Sequence, residues 1–156
     1  MLFDIEKAKA FISSVNGLIQ DKKGELTELD STLGDGDLGL TMSEGFSKSA
    51  EFAAEHMGTD IGKFFIQVGM TFAKSVPSSM GTLMASAFMK GGKEVAGKEA
   101  LTATDLSKFC VGFAEGIMER GKCRPGGRTI VDVAYPAGKA AVECAQSQNG
   151  NITAVA

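Results

Sequence analysis

The sequence predicts an all-α protein built from antiparallel amphipathic helices, and three observations predict it. Apolar residues recur at spacings of three and four wherever they recur at all. No segment between turn signals alternates apolar and polar residues as a half-buried strand would. Proline, which breaks helix interiors, occurs only 3 times in 156 residues.

The first helix is predicted from Ile5, Ala8, Ile12, Val15 and Ile19, which form one stripe behind Asp4 as N-cap. A second, from Gly39 to Ala54, aligns Met42, Phe46 and Ala50. A third carries Ile61, Phe64, Phe65, Val68 and Phe72, capped by Thr59 or Asp60. Pro77-Ser78-Ser79-Met80-Gly81-Thr82-Leu83 marks the start of a fourth. Leu106, Phe109, Cys110, Phe113 and Ile117 form a fifth, opened by Thr104 or Asp105. Val131 to Ala145 suits a sixth, with Pro136 expected to kink it or delay its start. The final NGNITAVA reads as a turn followed by the beginning of another element.

With 44% hydrophobic and 22% charged residues the chain has the balance of a folded domain, taken as one unit over residues 1–156. A net charge of −3 argues against nucleic acid as a partner. No apolar run reaches the length of a membrane span, and the acidic start is unlike a signal peptide, so a cytoplasmic location is expected. Cys110, Cys123 and Cys144 are odd in number and scattered, which fits neither a disulfide framework nor a zinc knuckle. The single His56 lies in a polar link and is expected at the surface, leaving no Ser/His/Asp or Cys/His constellation to support hydrolysis.

The chemistry concentrates in TELDSTLGDGDLGLTM, where Asp30, Asp35 and Asp37 meet on a turn punctuated by Gly34, Gly36 and Gly39. Three carboxylates within eight residues repel one another unless a cation lies among them. Oxygen donors without nitrogen or sulfur favour magnesium or calcium over zinc. The same stretch fits GxGxxG, but no strand precedes it and its carboxylates would repel a pyrophosphate. An EF-hand starting at Asp30 fails at Asp35 and Thr41, and the near match to a phosphate loop ending at Cys123 lies on a helix tail. The Asn151-Ile152-Thr153 glycosylation pattern carries no meaning in a cytoplasmic chain. The turn at Pro77–Leu83, at a helix start, offers N–H groups and hydroxyls to an anion, and Gly121–Thr129 gathers three cations in a glycine-rich loop. Together they describe a magnesium-nucleotide site.

LDSTLGDGDLGLTMSEGFSK, DIGKFFIQVGMTFAKSV and GIMERGKCRPGGRTIVDVAYPA together resemble the nucleotide-binding L subunit of dihydroxyacetone kinase, over essentially the whole chain. The resemblance implies an antiparallel, mostly up-and-down barrel or bundle of helices. It implies that Asp30, Asp35 and Asp37 ligate two magnesium ions, with Asp35 bridging. Leu38, Gly39, Leu40 and Thr41 would lie along the phosphates of ADP or ATP, with Ser79 and Met80 in the second turn. Gly121 and Ile130 would line the adenine side. The implied activity is a phosphotransferase reaction shared among subunits, in which bound ADP is rephosphorylated by a phosphohistidine carrier of the phosphotransferase system. The ATP then phosphorylates a ketose on a separate subunit. An ATP-dependent ketose kinase subunit and a nucleotide-binding regulator without turnover are the alternatives, and homodimerisation is left open.

Departures from the family pattern are Leu38 in place of His, Thr41 in place of Asn and Gly127 in place of Asp. Pro77, Ser78 and Met80 replace its glycine pair and serine. The family pattern also continues beyond residue 156, so the domain is expected to be incomplete at its C-terminal end.

Overall fold

The computed structural model describes residues 2–147. Six helices account for most of them: α1 (Ile5–Ser31), α2 (Leu38–Glu55), α3 (Ile61–Ser75), α4 (Ser79–Glu94), α5 (Ala103–Gly121) and α6 (Val131–Ser147). Each starts where local chemistry satisfies its first N–H groups. The Asp4 carboxylate accepts from Lys7 N–H at 3.0 Å, Asp60 from Lys63 N–H at 3.0 Å and the Ser78 hydroxyl from Gly81 N–H at 3.0 Å. The fifth helix opens on neither Thr104 nor Asp105. Thr102 is the N-cap, and Asp105 reaches back to its N–H, a reciprocal capping box that puts the start two or three residues earlier than expected. Pro136 lies inside α6 and neither ends it nor delays its start at Val131.

The helices pack in chain order, α1 on α2, α2 on α3, α3 on α4, α4 on α5 and α5 on α6, and α2 also reaches α4. The described residues form a helical bundle and do not close into the expected barrel. Among the described residues α6 makes no helix interface with α1 that would close the ring. The space between them is an apolar cleft of about 260 Å³ walled by Phe11 of α1, Phe113 of α5, and Ala134 and Gly138 of α6. A second correction concerns strands. Phe3–Asp4 (β1) and Ala100–Leu101 (β2) pair antiparallel, Phe3 opposite Leu101 and Asp4 opposite Ala100. Two residues per strand are too few for alternation to show in a sequence. The expected element in NGNITAVA, with Asn151-Ile152-Thr153, lies outside the described residues.

Phenylalanine dominates the core. Phe64, Phe65 and Phe72 of α3 are at most 1% exposed, and Phe46 of α2 meets Phe72 edge-on with ring centres 5.0 Å apart. Phe65 reaches Phe109 of α5 at 4.4 Å. Each such ring contributes on the order of 1.5–3 kcal/mol by leaving water. His56 belongs to this cluster and is not a free surface group. Its ring lies 5.2 Å from both Phe52 and Phe64, and its Nε2 is buried without a hydrogen-bond partner. This rigid centre holds the α1–α2 turn and the starts of α2 and α4 at one end of the bundle.

Candidate functional site

The α1–α2 turn is shaped by its own hydrogen bonds. The Asp30 carbonyl accepts from Leu33 N–H at 3.2 Å and from Gly34 N–H at 2.6 Å, which turns the chain sharply at the end of α1. Gly36 follows at φ 74°, and a Cβ there would overlap the Ser31 hydroxyl, so this corner admits only glycine without strain. The turn returns the chain so that Asp30 Oδ2 accepts the Leu38 N–H at 3.2 Å, and Asp35 Oδ1 lies 3.4 Å from the Asp37 N–H.

One carboxylate oxygen from each of Asp30, Asp35 and Asp37 therefore falls within 4.8 Å of the others. Asp37 is the N-cap of α2 by position, yet its side chain makes no capping bond and stays available. Partial removal from water, and then the negative charges of Asp35 and Asp30, hold its carboxyl above the usual carboxylate range. Among the described residues none of the three aspartates forms a salt bridge. The repulsion is left to an external cation, and an all-oxygen set with two exposed members suits a hard ion that keeps some of its water. The residues present thus fit magnesium.

Beside this cluster opens a cavity of about 890 Å³, large enough for a nucleotide-sized ligand. Its walls include Asp37, the α4 start at Pro77, Ser78, Ser79 and Thr82, and the α5 end at Arg120 and Gly121. The Ser78 hydroxyl is committed to capping, and Thr82 donates to the Ser78 carbonyl at 2.7 Å, which fixes the first turn of α4. The exposed Ser79 stands at that helix start, where N–H groups and the helix dipole favour an anion.

The structure thus brings together Asp30, Asp35, Asp37, Ser79 and Gly121. The other expected site residues are not among the walls of this cavity. Met80 is half-buried and packs against the core, as does Ile130. Gly39 and Thr41 are buried in α2, Leu38 is half-buried at its first position, and Leu40 is 55% exposed. Arg120 went unnoticed as a site residue in the sequence. Its signal was its position one residue before Gly121, in the last turn of a helix whose end borders the site. Among the described residues it has no carboxylate partner, so its charge remains available to the cavity.

Comparison with known proteins shows the family of the chain. Residues 32–156 match the DAK2 domain. The chain is 32% identical, over 87% of its length and 68% of the relative's, to the ADP-binding subunit of PEP-dependent dihydroxyacetone kinase 1 from Listeria innocua. It is 36% identical, over 71% of its length and 53% of the relative's, to the corresponding subunit from Escherichia coli. The chain thus spans between about half and two thirds of these relatives. In fold it resembles the crystal structure of the dihydroxyacetone kinase from C. freundii in complex with AMP-PNP and Mg2+, with a TM-score of 0.76. That match covers 95% of this chain and 26% of the other at 21% identity. With Asp35 and Asp37 inside the matched span and the helical fold shared, the chain belongs to the DAK2 domain family.

Proposed function

We propose that this chain is the ADP/ATP-carrying subunit of a ketose kinase, taking a phosphoryl group onto bound ADP and passing it to dihydroxyacetone or a related short ketose. The observation that carries the reading is the convergence of Asp30, Asp35 and Asp37 beside a cavity whose other wall is the start of α4. Two magnesium ions held there would neutralise phosphate charge, which is most of what phosphoryl transfer requires of a protein. Asp30, Asp35 and Asp37 would hold the ions, with Asp35 between them. Ser79 and the N–H groups of the first α4 turn would receive phosphate oxygens, and Arg120 would balance the charge that remains. Leu38, Gly39, Leu40 and Thr41 would run along the phosphates through backbone at the start of α2, and Gly121 with Ile130 would border the base.

Among the described residues no histidine stands beside the aspartates to serve as a base. His56, the one histidine, is locked between Phe52 and Phe64, away from the aspartates. In this reading a partner subunit would hold the ketose and supply the base, and the phosphoryl donor would be a phosphohistidine carrier. Leu33 is 99% exposed and Leu29 65%, both beside the aspartate turn, and Leu40 is 55% exposed in the first turn of α2. Such an apolar rim suits a docked protein. Likeness to the L-erythrulose 1-kinase of Mycolicibacterium smegmatis, 27% identical over 90% of this chain and 25% of that one, favours erythrulose as a second candidate ketose.

Reconstitution tests the reading. The chain alone with magnesium, ATP and dihydroxyacetone should give background rates, and adding a matching ketose-binding subunit should produce phosphorylation. Leu33→Ser, which removes the apolar side chain without adding charge to the turn, should weaken that assembly and leave ADP binding intact. Robust phosphorylation by the isolated chain would refute the division of labour. Silence with every partner despite tight ADP binding would favour a regulator.

A further inference from the structure

Between α5 and α6 the backbone enters the left-handed region three times, at Lys122 (φ 49°), Gly126 (φ 94°) and Arg128 (φ 57°). Two of these residues carry side chains, and such conformations persist only where the surroundings hold them. Lys122 is the C-cap of α5 and is held by its N–H on the Met118 carbonyl. At Gly126 and Arg128 packing does not hold the chain, because every residue from Arg124 to Thr129 is exposed. One side chain does. Asp132, in the first turn of α6, accepts the Gly126 N–H on Oδ1 and the Thr129 N–H on Oδ2, the latter at 2.8 Å. The Thr129 hydroxyl in turn accepts the N–H of Val131, a fully buried residue. The exposed loop is thereby tied through one carboxylate to a helix anchored in the core. The N–H groups of Gly126, Thr129 and Arg128 also hold the Asp132 carboxyl below the usual carboxylate range, as expected of a carboxylate that works as an acceptor.

The loop is continuous with the cavity. It leaves α5 at Gly121, a cavity wall residue next to Arg120, and returns to the core at Ile130. We propose that Asp132 is a positioning residue for nucleotide binding: by clamping Gly126 and Thr129 it holds the loop from Lys122 to Ile130 in the one shape that keeps the α5 end of the cavity formed. This rests on the nucleotide reading above. Asp132 touches no ligand itself and acts through the loop backbone.

Two substitutions approach the loop from opposite sides. Asp132→Asn removes the charge that makes both bonds strong. Gly126→Ala places a Cβ on a residue at φ 94° with nothing within 4 Å of it, so it disturbs the loop and nothing around it. Both variants should bind Mg·ADP about tenfold more weakly in calorimetric titration, the scale of a lost charge-assisted hydrogen bond. Both should be cut faster by trypsin after Arg128, with urea midpoints close to wild type. The trypsin assay uses no nucleotide, so it reads the clamp separately from the ligand. Variants that bind Mg·ADP as tightly as a binding-competent wild type, or a loop no more cleavable than before, would overturn the role of Asp132 alone. A wild-type protein that does not bind Mg·ADP would overturn the nucleotide reading and this role with it.

Discussion

Gly39→Ala should damage both the stability of the protein and its candidate site, whereas Gly17→Ala should stabilise it. Gly39 lies in the first turn of α2 and faces α1 at close range. A Cβ there would overlap the Lys23 carbonyl oxygen and Thr27 Oγ1, and would lie 3.0 Å from the Thr27 backbone nitrogen. Two of those three atoms are backbone, so no side-chain rotation relieves the clash, and α1 and α2 must separate by about 1 Å. Overpacking of this kind costs about 1–3 kcal/mol. In a domain of this size each kcal/mol lowers Tm by about 2–4 °C. Gly17 is the control. It sits within α1, and a Cβ there meets nothing within 4 Å. Alanine at such a position gains about 0.5–1 kcal/mol through helix propensity. Urea unfolding of the two variants therefore should move the midpoint in opposite directions. Because Asp30 and Asp37 stand at the facing ends of the two helices, Gly39→Ala should also weaken magnesium-dependent ADP binding, and Gly17→Ala should not. A neutral Gly39→Ala would mean that α1 and α2 do not pack as closely as described.

Burial, and then the positive charge of Lys9, holds the His56 pKa below its usual 6.5. The unfolded chain therefore takes up a proton first as pH falls, so this contribution to stability is full above pH 6.5 and is lost as pH drops through 6.5 toward the lower folded value. Urea midpoints of wild type and His56→Phe between pH 7.5 and 5.5 should show the steeper fall in wild type; parallel curves would exclude the effect. Burial raises the Asp105 pKa, but the Lys98 ammonium at 2.7 Å and the N–H and hydroxyl of Thr102 outweigh it and leave it lowered. Thr102→Ala should cost about 1 kcal/mol by denaturant unfolding as the α5 cap is lost, and no change would show that the capping box adds nothing to stability. Asp35→Asn should weaken calorimetric binding of Mg·ADP more than Asp30→Asn does, since a bridging ligand serves both ions; equal losses would contradict that assignment.

Helix positions were legible because burial in this protein follows stripes along single helices. The stripe from Ile61 to Phe72 lies within α3, and the five residues that define it are all buried. The aspartate cluster was legible because its members lie on one short turn, so proximity in sequence is proximity in space. What depended on separate helices was not. Arg120 meets Ser79 and Asp37 only after α4 packs on α5 and α2 on α3. Met80 and Ile130 sit at helix ends, half-buried and packed against the core on one side, a placement that depends on register and that no local pattern encodes. His56 looked exposed in AEHMGTD because nothing in that string reveals Phe64 across the helix pair. Closure into a barrel depends on whether α6 returns to α1, and no local pattern encodes that contact.

Calorimetric titration of ADP into the protein, once with excess magnesium and once with EDTA, tests the central claim most directly. Three carboxylates whose oxygens share a 4.8 Å space would repel phosphates unless cations intervene. ADP should bind with magnesium and lose at least tenfold in affinity without it, a difference of about 1.4 kcal/mol. Equal affinity under both conditions would show that Asp30, Asp35 and Asp37 do not form the metal centre of a nucleotide site.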